Sequence, residues 1–200
     1  MVISQAQTDA LAEIIQAGFI HAATSYSKLL RQPVQLEASQ FILLPLAELD
    51  KELSACLAGE VVMLHQAFND HASPEALWLL DCQAAVTLID LLSREPVSPR
   101  TLTVSDREAL VEVGSILLPI CLSEVSSRLT RRPTFAPLRL HLEVTDPILT
   151  IFSPAAYGVL FNLYFKLAQG SVEGCVAVAL SQGALEALLA SRESHPSMGN

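Results

Sequence analysis

Residues 9–30 read DALAEIIQAGFIHAATSYSKLL, and this stretch indicates the kind of fold that the chain adopts. Its apolar residues recur at intervals of three and four, which is the spacing of one face of an amphipathic helix. We therefore predict a long helix over residues 6–30, with Thr8 as its N-cap and the Gln32-Pro33 pair after its end. The face expected to be buried carries Leu11, Ile14, Ile15, Phe19, Ala22, Ala23, Tyr26, Leu29 and Leu30.

A weaker copy of this helix follows 99 residues later. Sliding the sequence by that distance places Ala10, Leu11, Glu13, Ser27 and Leu30 on Ala109, Leu110, Glu112, Ser126 and Leu129. The order helix, strands, helix also repeats around each copy, and such internal repetition sets the architecture. We predict one domain over residues 1–200, with half-repeats at about 7–93 and 103–190 and a flexible tail at 191–200. The expected fold class is α/β, with two pseudo-symmetric halves whose long helices pack on a mixed, largely antiparallel sheet.

The remaining elements are predicted from apolar runs, turn residues and caps. The first half should contain an extended segment at 34–46, a hairpin of 59–68 and 76–80, and a helix capped by Asp81. After a connector at 94–102, the second half should contain a helix capped by Ser105, extended chain at 134–144, a short helix from Asp146, a hairpin of 157–167 and 174–180, and a last helix at 181–191.

Composition excludes several classes of protein. The chain has 200 residues, of which 51% are hydrophobic and 16% charged, so it buries a real core and is neither disordered nor a coiled coil. Its net charge is −9, whereas nucleic-acid binding depends on Lys and Arg displacing counterions from phosphates. The charge instead favours a protein partner with a basic face, and we expect no nucleic acid as a partner.

A membrane location is also not expected, although the mean hydropathy is +0.42. Residues 147–165 carry no charge, but Pro154, Gly158 and Asn162 interrupt them, which favours two buried elements over a spanning helix. The N-terminal residues lack the basic start and apolar run of a signal peptide. We therefore expect a cytoplasmic protein without membrane insertion.

Motifs for metal binding and for the common catalytic machineries are absent from the sequence. Cys56, Cys82, Cys121 and Cys175 are widely spaced, with no C-x-x-C and no neighbouring histidine at zinc spacing, so we expect no disulfide and no metal site. Three of the four stand beside apolar residues and are interpreted as small buried residues. There is no nucleophile elbow, Gly-rich phosphate loop, H-E-x-x-H or EF-hand loop. The five histidines are scattered, and structural roles are expected for them.

The most suggestive polar pair is Glu13 and Gln16 on the predicted first helix. Residues three apart share one face of a helix, and this face lies opposite the apolar one. A carboxylate can pair with a partner's cation while a neighbouring amide orients a water for attack. A plain solvated face is the alternative interpretation. The same spacing recurs at Glu112 and Ser115, which strengthens the functional one.

These residues resemble the first signature helix of the CheC family of chemotaxis phosphatases, a CheC/CheX/FliY-like group. The family pattern is an acidic start, E-x-x-N, a small-residue run and A-A-T-x-x-S-x-L-L. It is matched without a gap by Asp9, Glu13, Gly18, His21-Ala22-Ala23-Thr24, Ser27 and Leu29-Leu30. The stretch EALVEVGSIL echoes the second signature, and the resemblance covers about residues 7–190.

The resemblance implies a protein that binds a phosphorylated response regulator, typically CheY, and hastens hydrolysis of its aspartyl phosphate. Glu13 and Glu112 would pair with a lysine of the regulator, while Gln16 and Ser115 stand where the family has the asparagine that positions the attacking water. The Mg²⁺ belongs to the regulator, so no cofactor of the chain's own is implied. Positioning an in-line water supplies much of the catalysis in phosphoryl transfer.

The two sites depart from the family pattern to different degrees. Gln16 keeps the amide but adds a methylene and one torsion, so the first site is expected to be weakened. Ser115 carries only a hydroxyl on a short side chain. Pro119 clashes within a helix with the carbonyl of Ser115, four residues back, so a kink or break is expected there. The second site is therefore predicted to be inactive.

A second partner surface follows from the same comparison, whereas the apolar composition of the chain suggests a further alternative, a small-ligand sensor. In the family, an acidic residue and a G-A-I-L turn help to dock the deamidase CheD. The aligned positions here are Glu143 and Asp146-Pro147-Ile148-Leu149, and the altered turn weighs against CheD binding. The alternatives to a phosphatase are a non-catalytic module that binds a regulator or joins a switch-like assembly, and, less strongly, a small-ligand sensor. A monomer is favoured, because the pseudo-symmetry is internal.

Overall fold

The computed structural model describes residues 4–56, 60–68, 74–127, 134–142 and 157–193. Within them lie the helices α1 (Gln5–Leu30), α2 (Leu46–Cys56), α3 (Cys82–Ser93), α4 (Val104–Ser127) and α5 (Gln182–Glu193). The strands are β1 (Gln35–Pro45), β2 (Val61–Gln66), β3 (Glu75–Asp81), β4 (Arg139–Leu142), β5 (Tyr157–Leu167) and β6 (Gly170–Leu180). The predicted short helix from Asp146, the turn between β2 and β3, and most of the predicted tail lie outside the described residues.

The six strands form one sheet in the order β1-β5-β6-β3-β2-β4, and every pair of neighbours is antiparallel. This confirms the predicted fold class of helices on a largely antiparallel sheet. If β4, β5 and β6 are taken as counterparts of β1, β2 and β3, the order reads the same from either edge. The two-fold axis then passes between β3 and β6, where Leu77 pairs with Ala177 and Trp78 with Val176. The exact bounds of the half-repeats stay predictions.

The two faces of the sheet carry different helices. In β3, alternate residues Ala76, Trp78 and Leu80 join the larger core under α1, α3, α4 and α5. Leu77 and Leu79 point to the other face, where the smaller core includes residues of α2. α2 was missed by the sequence analysis. Its buried residues Leu49 and Leu53 are four apart and pack directly on the sheet.

The first helix forms as predicted, but its N-cap lies four residues before the expected one. Ser4 is the N-cap: its side chain accepts from the Gln7 amide, while the Gln7 side chain accepts from the Ser4 amide, which makes a capping box. Thr8 is buried inside the helix, so the prediction of Thr8 as cap is wrong. Leu29, expected in the buried face, is 63% exposed, whereas its neighbour Leu30 is half-buried against the core.

α1 packs against α4 at very short range. A Cβ added to Gly18 would lie only 3.1 Å from the Cα of Cys121, so the absence of a side chain lets the two backbones approach. Further along, the Tyr26 hydroxyl donates to the carbonyl of Val113. Because the residue number rises on α1 while it falls on α4, the two helices run antiparallel.

α4 is the one helix among the described segments that is long and apolar enough to cross a membrane by length and composition. Its buried residues, which include Leu110, Leu117 and Leu118, belong to the main core, as is usual for a core helix of this composition. The helix continues through Pro119, so of the two outcomes expected there the break is excluded and the kink stays a prediction. The predicted cap, Ser105, is also wrong: Thr103 and Asp106 form the reciprocal cap at this end.

The connector between the halves is held by ionic hydrogen bonds that the sequence analysis did not identify. Arg100 donates to Asp90 near the end of α3, at 2.6 Å, and to both carboxylate oxygens of Asp106 in the first turn of α4, at 2.5 and 3.1 Å. Asp90 and Asp106 are only 4% and 6% exposed. The guanidinium therefore joins the end of α3 to the first turn of α4.

Candidate functional site

The predicted polar pair lies at the outer surface of the helical layer. Glu13 is exposed and Gln16 is half-buried, whereas Leu11, Ile14 and Ile15 on the same helix are at most 4% exposed. Periodicity therefore assigned the two faces of α1 correctly in this segment. The pair is one helical turn apart, so both side chains can be reached by a macromolecule that approaches α1 from outside.

Gln16 has a structural partner that the sequence analysis did not foresee. Its side-chain oxygen accepts a hydrogen bond from the backbone amide of Ala38 in β1, at 3.4 Å. An amide oxygen has two lone pairs and its nitrogen two protons, so this bond leaves donor and acceptor capacity for a ligand or a water. The bond nevertheless turns the oxygen towards β1, which shortens the reach of Gln16 beyond the helix surface.

The second predicted pair, Glu112 and Ser115, is exposed on α4. Pro119 has no amide proton, so the carbonyl of Ser115 lacks its helical partner. α1 and α4 are antiparallel and meet at Gly18 and Cys121, so Glu112 lies opposite the C-terminal part of α1. At 1.5 Å per residue, Glu13 and Glu112 are about 20 Å apart along the helix pair. The structure does not bring the two predicted sites together.

Glu143 and Asp146, the residues predicted to bind a second partner, lie outside the described residues. The described ranges also contain no group of three or more His, Cys, Asp or Glu side chains placed to hold a metal ion. Apart from Arg100 with its two carboxylates, a second cluster of titratable groups lies on the α2 face of the sheet. His65 and Glu75 are both buried, with Nε2 and Oε2 2.9 Å apart, and the ring centroid of His141 is 6.3 Å from that of His65.

The pKa values of two side chains, His141 and Cys121, explain why they are unsuited to chemistry. The pKa of His141 is lowered by burial first and then by His65 and Arg139, so the ring is held neutral. The pKa of the Cys121 thiol is raised to about 12 by complete burial, which leaves it protonated and unreactive at neutral pH. Both observations agree with the structural roles predicted for the histidines and cysteines.

A groove next to Gln16 was also missed by the sequence analysis. It lies between α1 and β1, has a volume of about 680 Å³, and is lined by Ile20, Ala23, Thr24, Ser27, Lys28, Val34, Gln35, Leu36 and Glu37. Ile20 is 59% exposed although it is a large apolar residue. A sequence signal did exist, since Ile20 is an isoleucine four residues after Gln16 on the otherwise polar face.

Comparison with known proteins identifies the fold. No protein-family model and no curated protein sequence matches the chain. Among solved structures, Thermotoga maritima FliY aligns over 97% of this chain and 99% of its own, with a TM-score of 0.73 and 14% identity.

Two other solved structures extend the comparison. FliM from the H. pylori FliM–SpeE complex aligns over 99% and 100%, with a TM-score of 0.68 and 14% identity. The chemotaxis protein CheX from Vibrio vulnificus aligns over 84% and 97%, with a TM-score of 0.51 and 9% identity. The identities are low, so these matches establish architecture only. The chain therefore has the α/β fold that is also found in FliY, FliM and CheX.

Proposed function

We propose that this protein binds a phosphorylated, CheY-like response regulator through the outer face of α1, in chemotaxis or flagellar-switch signalling. The observation that carries the proposal is the position of Glu13, an exposed carboxylate one turn before Gln16 on a helix whose other face is buried. The fold shared with CheX, a chemotaxis protein by its name, supports the same class of partner.

The electrostatics of the chain favour such a complex. The net charge is −9, and a carboxylate on the docking helix attracts a cationic side chain of the partner, such as the lysine that the CheC resemblance implies. A contact of this kind contributes mainly to the association rate and to specificity. Salt therefore weakens the complex, because exposed charges are screened.

Hydrolysis of the aspartyl phosphate is the finer part of the proposal. Glu13 would hold the regulator and Gln16 would orient a water in line with the phosphorus, while the regulator supplies its own Mg²⁺. Since the Gln16 oxygen is bonded to Ala38, it must share or release that bond in the complex. The expected acceleration is therefore weak, and Ser115, with a shorter side chain, adds nothing to it.

The second candidate function is a binding module without catalysis. Two observations favour it: the tether on Gln16, and the higher structural similarity to FliY and FliM than to CheX. The H. pylori FliM of this fold was crystallised in complex with another protein, SpeE. On this alternative the chain would tether or sequester a regulator, or join a flagellar-switch-like assembly.

Expectations about oligomeric state, location and a second partner also belong to the proposal, and one measurement would favour an alternative to it. We expect a monomer in the cytoplasm. Docking of a CheD-like deamidase at Glu143 and Asp146 is a weaker possibility, because a proline-started segment replaces the family's turn. A change in the melting temperature with added small ligands would instead favour the sensor alternative.

The test measures binding and phosphate lifetime together, using regulators encoded beside this protein. Binding that depends on phosphorylation and is lost in Glu13→Lys supports the proposal. Glu48→Lys makes the same charge change at an exposed position of α2, so it is the matched control and should bind normally. Failure to bind any regulator would refute the proposal.

The phosphate lifetime then separates the two candidates. A shorter lifetime that returns to the intrinsic value in Gln16→Ala supports hydrolysis, and a further gain in Gln16→Asn would show that amide reach limits it. Unchanged lifetime with intact binding supports the non-catalytic module.

A further inference from the structure

β1 lies at one edge of the sheet and is 11 residues long. An edge strand presents a row of backbone amides and carbonyls without partners, which is a template for pairing with another chain. The residues of β1 carry one charged side chain, Glu37, and this carboxylate is paired with Lys166 at 2.5 Å. Charge repulsion therefore gives β1 little protection against pairing with a copy of itself.

Two side chains of α1 bond to the backbone at the outer side of this strand. The Ser27 hydroxyl accepts from the amide of Val34 at 2.9 Å and lies 3.4 Å from the Val34 carbonyl oxygen. Gln16 accepts from the amide of Ala38 at 3.4 Å. Backbone groups point to alternate sides along a strand, so residues four apart point the same way, which here is away from β5.

The rest of the edge is protected by backbone geometry. The register with β5 shifts between Ser39 and Ile42, and Gln40 between them has φ 56°, a left-handed conformation typical of a bulge. Pro33 lies two residues before the strand and Pro45 is its last residue, and neither has an amide proton to offer. The segment open to straight pairing is therefore the one from Val34 to Ala38, and the two α1 side chains bond to the backbone at both of its ends.

The structure assigns to Ser27 and Gln16 the role of closing the β1 edge against antiparallel pairing with β1 of a second copy. Such a pair would be self-complementary, since both partners contribute the same strand around a two-fold axis. The inference does not depend on the proposed function, although both involve the side chain of Gln16 and its bond to Ala38.

The other edge of the sheet supports this interpretation. β4 is the opposite edge strand, and the residue 99 positions after Ala38 is Pro137, just before β4. Proline has no amide proton, so no side chain is needed to cover it. The residue 99 positions after Gln16 is Ser115, which is too short for such a bond. The two halves thus protect equivalent points by different means.

The experiment is the oligomeric state of the Ser27→Ala, Gln16→Ala double variant, measured by light scattering over a range of concentrations. We expect the mass to rise from 21.6 kDa towards twice that value as concentration increases. Thr24→Ala with Lys28→Ala is the matched control, because these residues line the same groove without a described bond to β1. The control should remain monomeric.

Two further measurements keep the test decisive. Ala38→Pro in the double variant copies Pro137 and should restore the monomer. Hydrogen exchange should show Val34 and Ala38 amides that are protected in the unaltered chain, exposed in the dilute double variant and protected again when it associates. A double variant that stays monomeric at all concentrations, or association that leaves both amides exposed, would overturn the inference.

Discussion

Replacing Asp106 with asparagine should destabilise the protein by about 2–3 kcal/mol at neutral pH. Asp106 is 6% exposed and accepts two bonds from Arg100 and two from Thr103. Asparagine keeps one oxygen for Thr103 but turns an NH₂ group towards the guanidinium. Hydrogen bonds to charged groups contribute about 1.5–3 kcal/mol each, and here the loss is limited because Arg100 retains Asp90.

The dependence on pH follows from the pKa of Asp106, which Arg100 first and Thr103 second hold well below its ordinary value, against the opposing effect of burial. A carboxylate with a depressed folded pKa stabilises the protein above its unfolded pKa, near 4, and loses that contribution as the pH falls towards the folded pKa. The difference in unfolding free energy between the parent and Asp106→Asn should therefore be smaller at pH 3 than at pH 7 by about 1.3 kcal/mol.

The assay is urea denaturation at both pH values, with the slope checked for constancy. Thermal melting should show a decrease of about 2–4 °C per kcal/mol for a chain of this size. Asp9→Asn, an exposed carboxylate on α1, is the control and should change stability by less than about 0.5 kcal/mol. The reasoning would be refuted if Asp106→Asn lowered the unfolding free energy by less than about 0.5 kcal/mol. It would also be refuted if the difference in unfolding free energy from the parent were the same at pH 7 and pH 3.

Two other substitutions test the packing. Gly174→Ala should lower the unfolding free energy by about 1–3 kcal/mol, because its Cβ would lie 2.7 Å from the backbone oxygen of Leu79. Gly183→Ala is the control: its Cβ would have no atom within 4 Å, so it should be neutral or stabilising in the same denaturation assay. Leu29→Gln should leave the unfolding free energy within about 0.5 kcal/mol of the parent, whereas Leu11→Ala should lower it by about 2–5 kcal/mol; equal losses at the two positions would contradict the exposure of Leu29.

The long helices were predictable because their signal is local. An apolar residue at every third or fourth position indicates a helix with one buried face. α1 also ends at the predicted residue, Leu30. The predicted caps at Thr8 and Ser105 failed because other residues formed reciprocal caps nearby. α2 was missed because its pattern is short and follows directly on Pro45.

The candidate site divides in the same way. That Glu13 lies outside and Leu11 inside is readable from periodicity alone. The bond from Ala38 to Gln16 joins residues 22 positions apart, and the bonds of Arg100 depend on how α3 and α4 meet. No local pattern specifies such contacts, so the sequence indicated no intramolecular partner for the side-chain amide of Gln16, whereas in the structure its oxygen accepts a hydrogen bond from Ala38.

By itself, then, the sequence indicated the fold class and, as far as Tyr26, the buried and exposed faces of α1, because the spacing of apolar residues within a segment specifies its type and its buried side. Only the tertiary structure decided that α1 and α4 are antiparallel, which places Glu13 and Glu112 far apart, and that Gln16 reaches β1. Periodicity reports that a face is buried, but which neighbour buries it depends on contacts between segments distant in the chain.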